Sequence, residues 1–288
     1  MRSVALAILV AFGLTTVGAS IGAAQAMPVK IEYWGQSFFI LTTSKGVRVA
    51  FDPHAIPAYF RDPDSIAEDE LKTADICTIS HNHNDHIRTQ IFKKEKGKPP
   101  LEVLRGLKGQ NLKADWNVFE KTVGDIKFRT VPTYHDDMEG LARGKNAVFI
   151  VEVDGWRIVH LGDLGHLLTP KQLKMIGPVD VLMVPVGGIY TLNGSEASKV
   201  VEQLRPKEYI FPMHYGTKIF EDILSAEEFL DIFERKDKSK VIRLSESVRE
   251  AEREQSVQLN RDPQRPRPLI VQLHYAPKQE KKKEDKKK

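Results

Sequence analysis

The sequence is poor in cysteine and lacks the common nucleotide-binding motifs. Cys77 is the only cysteine in 288 residues, so no disulfide can form within the chain. It lies in the apolar run 76–80, typical of a buried strand, where we expect a small packed side chain rather than a nucleophile or a ligand. No phosphate-binding P-loop, dinucleotide fingerprint or solenoid-length repeat is present. These absences argue against a nucleotide-binding enzyme and a repeat protein.

Basic residues are not in excess over most of the chain. The formal net charge is +4, and residues 278–288 alone carry seven lysines against three acidic residues. The body is therefore close to neutral and lacks the basic footprint of a nucleic-acid binder, so no nucleic-acid partner is expected. The segment 277–288 has no aliphatic residue and should be a disordered, solvated tail. Weak contact of this tail with an anionic membrane surface is the alternative.

Long apolar runs are confined to the N-terminus. Arg2 precedes the uncharged residues 3–26, and residues 24–26, Ala-Gln-Ala, have the pattern that signal peptidase cuts. The sequence therefore predicts a signal peptide over 1–26, a folded domain over 27–276 and a periplasmic or secreted protein. An uncleaved membrane anchor is the alternative, because the uncharged stretch is long enough to span a bilayer.

Metal-competent side chains follow the strand-like run 76–80 directly. His81, His83, Asp85 and His86 form the pattern H-x-H-x-D-H. Alternate residues of an extended chain project to one side, so the first three of these side chains can point together. Imidazole and carboxylate groups suit Zn²⁺, with Mn²⁺ or Fe²⁺ as further possibilities. The pattern predicts half of a two-metal site rather than a polar surface loop.

Three further candidates also stand at the ends of strand-like runs. His135 follows residues 126–134, Asp163 follows residues 156–162, and His214 follows residues 208–213. The carboxyl ends of parallel strands meet at one edge of a sheet, so side chains far apart in the sequence can converge there. Each of these histidines alone would be weak evidence for a metal site. They count as evidence because the H-x-H-x-D-H motif is present in the same chain.

The order of these residues resembles that of the metallo-β-lactamase-fold hydrolases. The likeness is greatest to the branch that includes ascorbate-6-phosphate lactonase-like and phospholipase D-like proteins. It covers roughly residues 29–220 and includes the stretches 144–146, 160–166 and 184–188. The resemblance implies an α/β (α+β) fold, a four-layer αβ/βα sandwich. True β-lactamases of this fold often have Cys at the position of Asp163, which argues against antibiotic hydrolysis as the main activity.

The resemblance also implies two divalent metal ions. Carried over residue by residue, it assigns the first ion to His81, His83 and His135, the second to Asp85, His86 and His214, and both to Asp163 as a bridge. A hydroxide shared by the two ions would attack an ester, lactone or phosphodiester bond of a small-molecule or lipid substrate. The alternatives are a lipid phosphodiesterase, similar to phospholipase D-like members, and a non-catalytic metal-binding protein that retained the fold.

Two residues are candidates for a direct catalytic role. Asp85 could orient the attacking nucleophile as well as bind a metal ion. His166, three residues after Asp163, is a candidate general acid. A position behind the ligands or in the packed interior is the favoured alternative for His166.

Three further features allow two interpretations each. Asp52 follows the strand-like run 47–51 and is either a partner that orients a ligand imidazole or a turn residue. Gly187 and Gly188 either let the backbone approach metals or substrate closely or form a plain turn. The long basic stretch 87–124 is either a lid or an insertion of mixed helix and edge strand.

Turn and capping signals place the remaining elements. Asp154-Gly155 between two apolar runs predicts a two-residue β-hairpin. Thr169 with Pro170 predicts the start of a short helix. Further helices are predicted over 195–204, 226–236 and 245–255, the first capped by Asn193 or Ser195. The apolar run 269–273 reads as a strand with no predicted place in the sheet.

Overall fold

The computed structural model describes residues 28–54, 72–109, 113–217, 221–243 and 256–273. The predicted leader, the lysine-rich tail and the predicted helix at 245–255 lie outside these residues. Two β-sheets make up most of the described chain. No helix within it has the length and apolar character needed to cross a membrane.

The first sheet has six strands in the order β15-β1-β2-β3-β4-β5. Its strands are β1 (Lys30–Tyr33), β2 (Phe39–Thr42), β3 (Arg48–Phe51), β4 (Ile76–Ile79), β5 (Glu102–Arg105) and β15 (Ser256–Gln258). The strands from β15 to β3 pair antiparallel, whereas β3, β4 and β5 are parallel. This parallel part sends the chain after β3 and after β4 to the same edge.

The second sheet has eight strands in the order β14-β16-β13-β12-β11-β10-β9-β8. Its strands are β8 (Glu120–Val123), β9 (Ile126–Tyr134), β10 (Lys145–Val153), β11 (Trp156–His160), β12 (Val181–Pro185), β13 (Tyr209–Met213), β14 (Val241–Ile242) and β16 (Leu269–Val271). Strands β8 to β11 are antiparallel, and β11 to β14 are parallel. Strands β9, β11, β12 and β13 therefore run in one direction.

Local signals located the helices and the hairpin well. The hairpin of β10 and β11 turns at Asp154-Gly155. The helices are α1 (Pro170–Ile176), α2 (Gly194–Leu204) and α3 (Glu227–Asp237). Capping boxes at Thr169 and Asn193 begin α1 and α2, which decides between the two caps predicted for α2. All three helices connect strands of the second sheet.

The main core lies between the two sheets. Phe39 of the first sheet and Phe211 of the second have ring centroids 6.3 Å apart, and the ring of His160 stacks on Phe51 at 5.3 Å. A smaller core on the other face of the first sheet contains Cys77, whose thiol pKa is raised by burial. The chain therefore has the expected sandwich of two mixed sheets. In the described residues, the outer layer on the first sheet contains the 3-10 turn Thr89–Ile91 rather than an α-helix.

The stretch 87–124 connects the two sheets along their edges. It contributes β5 at the edge of the first sheet and β8 at the edge of the second. Between them lie β6 (Leu107–Lys108) and β7 (Asp115–Trp116), which pair with each other. This architecture favours the edge-strand interpretation over the lid.

Candidate metal centre

Four strand ends bring the predicted ligands together. The loop after β4 carries the H-x-H-x-D-H box, and a hydrogen bond from the His86 amide to the His83 carbonyl, at 3.0 Å, turns it back on itself. His135 follows β9, Asp163 follows β11 after a short connection, and His214 follows β13. Because these three strands point the same way, their ends meet opposite the box. All seven predicted ligands therefore lie in one place: His81, His83, Asp85, His86, His135, Asp163 and His214.

The carboxylate of Asp163 is at the centre of this cluster. Its Oδ2 lies 3.1 Å from Nε2 of His86, 3.2 Å from Nε2 of His135 and 3.3 Å from Nε2 of His214. The same oxygen is 3.8 Å from Nε2 of His81. Histidines from both halves of the cluster thus approach one buried oxygen. This is the position expected of a bridging carboxylate.

Two groups of donor atoms that could hold an ion have the members that the family resemblance assigns to the two ions. One contains His81, His83 and His135, and the other contains Asp85, His86, Asp163 and His214, with the donor atoms of each group within 4.8 Å of one another. A third group, Asp52, His81 and His86, overlaps both. Within the described chain, Nε2 of His81 is buried without a hydrogen-bond partner, and Nε2 of His86 faces the carboxylates of Asp163 and Asp85 at 3.1 and 3.4 Å. Buried imidazole nitrogens normally have a partner, so Nε2 of His81 fits a metal ligand. The residues present suit two divalent ions of the zinc type.

Asp52 orients two of the imidazoles from behind. One carboxylate oxygen, Oδ2, accepts hydrogen bonds from Nδ1 of His86 at 3.0 Å and from the hydroxyl of Ser80 at 2.5 Å. The Ser80 hydroxyl oxygen lies 2.8 Å from Nδ1 of His81. Asp52 thus contacts the outer ring nitrogens, directly or through Ser80, and leaves both Nε2 atoms toward the centre. Of the two interpretations of Asp52, the structure supports the orienting partner.

The electrostatics favour neutral imidazoles on one side and charged pairs on the other. Burial lowers the pKa of His81 well below its ordinary value and that of His83 to about 4. Burial also disfavours charge on His86, but Asp163, Asp85 and Asp52 outweigh it and raise its pKa well above the ordinary value. Burial would raise the pKa of Asp163, yet the neighbouring His214 and His86 hold it well below the usual range. Asp163 is therefore ionised, which is the form of a carboxylate that binds a metal ion.

Glycines allow the ligand-bearing loops to pack closely. A Cβ on Gly187 would lie 2.0 Å from the carbonyl oxygen of His214, so no other residue fits there without a backbone shift. A Cβ on Gly162 would lie 2.3 Å from Oδ1 of Asn146 and 2.6 Å from Cβ of Ser80. Gly187 thus lets the chain pack against the backbone of His214, and the approach to metals or substrate stays a prediction.

Both ring nitrogens of His166 contact the backbone. Nε2 accepts a hydrogen bond from the amide of Tyr134 at 3.1 Å, and Nδ1 donates to the carbonyl of Leu167 at 2.8 Å. These two contacts fix the orientation of the ring. This arrangement fits the alternative of a residue behind the ligands, and the role of general acid stays a prediction.

Three residues that support the centre were not singled out from the sequence. Ser37 donates to Oδ1 of Asp163 at 3.1 Å, and Oδ1 of Asn146 accepts from the amide of Asp163 at 3.1 Å. Ser80 is the third, through its contacts with Asp52. Asn146 and Ser80 had an indirect signal, since one lies in a stretch that carries the family likeness and the other precedes the box. Ser37 had none.

The chain is similar in sequence to known metal-dependent hydrolases. The family model described as "Beta-lactamase superfamily domain" matches residues 30–214. A protein named "UPF0173 metal-dependent hydrolase" from Thermococcus onnurineus is 31% identical over 198 residues, which are 66% of this chain and 85% of that protein. A similarly named protein from Pyrococcus furiosus is 28% identical over 239 residues, 76% of this chain and 99% of that protein.

Solved structures give the same relationship. A candidate zinc-dependent hydrolase of the metallo-β-lactamase superfamily from Thermotoga maritima superposes with a TM-score of 0.59 and is 31% identical. That match covers 85% of this chain and 100% of the other. A metal-dependent hydrolase candidate from Parabacteroides distasonis has a TM-score of 0.52 at 21% identity, which concerns the fold alone.

Proposed function

This chain belongs to the metallo-β-lactamase superfamily of metal-dependent hydrolases, and we propose that it cleaves an ester, lactone or phosphodiester bond at a two-metal centre. The observation that carries the proposal is the approach of four imidazole Nε2 atoms to one oxygen of Asp163, at 3.1 to 3.8 Å. A single carboxylate in contact with histidines of two donor groups suits a pair of ions better than one.

The donor set favours zinc. His81, His83 and His135 would hold one ion and Asp85, His86 and His214 the other, with Asp163 shared, and Mn²⁺ or Fe²⁺ are the alternatives. Bound there, the pair would supply hydroxide at neutral pH and stabilise negative charge that develops on the substrate.

Asp85 is the side chain best placed to act on the attacking water. Burial would raise its pKa, but the neighbouring His86 and His214 lower it, so the group is ionised at neutral pH. Its side chain keeps 24% exposure, whereas those of His86 and Asp163 keep 0% and 3%, so it can reach solvent at the mouth of the site. An ionised carboxylate in this position accepts a hydrogen bond from water and orients it toward the substrate.

A lipid phosphodiester is the second candidate substrate. Four exposed apolar side chains lie on the loops after β9, β11 and β12, and the first two of these loops also carry His135 and Asp163: Met138, Leu141, Leu167 and Ile189. Exposed apolar groups around a site suit an acyl chain. Faster cleavage of a phosphodiester in phospholipid vesicles than of a soluble one would select this candidate.

The test begins with elemental analysis of the purified full chain and a panel of bis-p-nitrophenyl phosphate, thioesters and lactones. We expect close to two metal ions per chain and turnover that chelation abolishes. Asp85→Ala should lower kcat by roughly 100-fold or more. Asp125→Ala, which removes an exposed carboxylate that pairs with Lys45, is the control and should leave turnover unchanged. Full turnover by Asp85→Ala would contradict the proposal.

Export is a separate proposal that rests on the N-terminal sequence. Sequencing the N-terminus of protein recovered from the periplasm or the medium should find Met27 as its first residue. Recovery of the intact leader in a membrane fraction would favour the anchor instead.

A further inference from the structure

A cavity of about 230 Å³ adjoins the His81 side of the metal centre. Its lining consists of His81, Asn82, His83, Leu107, Arg143, Gly144 and Lys145. Two of these side chains are cations, and no acidic residue is among them. A positively charged space beside the candidate ligands would hold the part of a substrate next to the bond that is cut.

Arg143 and Lys145 reach the cavity because of their place in the chain. Arg143 is the last residue of a turn and Lys145 is the first residue of β10, and both line the cavity. Gly144 between them is buried and has φ +91°, a backbone conformation that glycine adopts without strain. Both cations therefore face one space.

The loop that carries Arg143 is rigidly held. The carboxylate of Asp136 accepts four backbone amides, among them that of Arg143 at 2.7 Å and that of Gly140 at 2.7 Å. These four hydrogen bonds fix the backbone from which Arg143 projects.

The Arg143 side chain is positioned but not neutralised. Its guanidinium lies over the ring of Tyr190 at 4.5 Å, and Nη2 donates to the carbonyl of Ile189 at 3.2 Å. A guanidinium has five N–H donors, and the contacts within the described chain use one of them. No carboxylate among the described residues forms an ion pair with it. The remaining donors form a fork that matches a carboxylate or a phosphate.

Lys145 is partly balanced at the outer side of the cavity. Its Nζ lies 2.9 Å from Oδ1 of Asp115 and 4.4 Å from the centre of the Trp116 ring. The Asp115 side chain is 73% exposed, so solvent weakens this pair. The ammonium group has three donors and remains able to contact a second anion.

We propose that Arg143 and Lys145 form a subsite for an oxyanion on the substrate, a carboxylate or phosphate group next to the bond that is hydrolysed. The proposal rests on the hydrolase function proposed above and narrows it to small anionic substrates. Arg143 contacts the anion as a fork and Lys145 as a point charge.

The kinetic test compares two esters that differ in one charge. They are p-nitrophenyl valerate and mono-p-nitrophenyl glutarate, and the measured quantity is the ratio of kcat/KM for the charged to the neutral ester. Arg143→Gln and Lys145→Gln should each lower this ratio by roughly tenfold. Lys127→Gln, which removes the same charge from a surface pair with Glu120 near the start of β9, should leave the ratio unchanged. An unchanged ratio in both cavity variants would overturn the subsite.

A binding test on metal-free protein separates failure of the subsite from failure of the hydrolase proposal. The Nε–H signal of Arg143 is assigned by its absence in the Arg143→Gln variant and followed by NMR during titration with glutarate or phenyl phosphate. We expect a saturable shift, weakened in Lys145→Gln. If wild-type protein cleaves neither ester, the hydrolase proposal has failed on these substrates and the titration alone decides. No shift with either anion would then overturn the subsite.

Discussion

The carboxylate of Asp52 accepts a hydrogen bond from Nδ1 of His86 at 3.0 Å, and this contact fixes which nitrogen of His86 faces the metal centre. With Nδ1 as the donor, a neutral ring presents the lone pair of Nε2 inward. Without metal, the neighbouring carboxylates raise the pKa of His86 and the inward nitrogen carries a proton. A divalent ion must displace that proton, so metal affinity should rise with pH.

Replacing Asp52 by Asn should weaken metal binding. The asparagine amide carries no negative charge to stabilise the outer N–H of His86. Its NH2 group would also place a hydrogen-bond donor against the Ser80 hydroxyl or the His86 ring. We expect a 10- to 100-fold lower metal affinity, measured by competition with a chromophoric chelator. Asp125→Asn is the surface control. Equal affinities for Asp52→Asn and wild type would mean that the contact is only structural.

Metal removal should lower the stability of the whole fold. Because the ligands come from both sheets, ions that bind the folded state alone stabilise it by mass action, by about 3–4 kcal/mol when the metal concentration is 100 to 1,000 times Kd. Scanning calorimetry should show a lower Tm after chelation and recovery when zinc is restored. The same Tm in both forms would indicate that the donor groups bind no ion under those conditions.

Gly187→Ala should disturb the His214 ligand. The new Cβ would lie 2.0 Å from the His214 carbonyl oxygen, and a backbone atom cannot move aside as a flexible side chain can. We expect a loss of about 2 kcal/mol or more in the free energy of unfolding, together with a lower metal content. Urea denaturation and elemental analysis measure the two effects.

The control for Gly187→Ala is Gly124→Ala. A Cβ at Gly124 would meet no atom within 4 Å, and its φ of +61° leaves only the left-handed strain of about 1 kcal/mol. If both variants retain full metal content and lose the same stability, the packing argument for Gly187 is wrong.

His54 should make the metal-free protein sensitive to acid. Its ring is 2% exposed, with Nε2 2.9 Å from the carbonyl oxygen of Gly35, and burial lowers its pKa to about 4. The unfolded state, with an ordinary pKa near 6.5, therefore binds a proton more readily than the folded state. Stability is fully present above pH 6.5 and is lost as the pH falls toward 4.

The measurement compares wild-type protein with His54→Gln, both without metal. Between pH 7 and pH 4.5 the wild type should lose about 2–3 kcal/mol more in the free energy of unfolding than the variant. Metal-free samples keep the release of metal ions out of the comparison. Parallel pH profiles of the two proteins would show that His54 does not titrate in this range.

The convergence of the candidate ligands could be predicted because they come soon after apolar runs: the H-x-H-x-D-H box after β4, His135 after β9 and His214 after β13. The change from an apolar run to polar residues is a local signal, and strands that run in one direction bring their ends to one edge of the sheet. The helix starts at Thr169 and Asn193 are also local, since a capping box satisfies amides within three residues.

Contacts between distant segments could not be predicted in this way. Ser37 bonds Asp163 across 126 residues of chain, and nothing around Ser37 distinguishes it from any other serine. The apolar run 269–273 contributes β16, which lies between β13 and β14, and nothing in the run itself specifies these neighbours. Arg143 and Lys145 line one cavity with Leu107, a residue more than 35 positions away in the sequence.

Four hydrogen bonds from backbone amides to the Asp136 carboxylate hold the loop after β9 in its shape, so this shape depends little on the loop's other side chains. Met138 and Leu141 are 51% and 82% exposed and contribute little to holding the loop. Residues there can change by mutation while His135 stays in place, so this loop is where related proteins can diverge in substrate at small cost in stability. A library that varies residues 137–142 and keeps Asp136 would begin a search for new specificities from a folded, metal-competent protein.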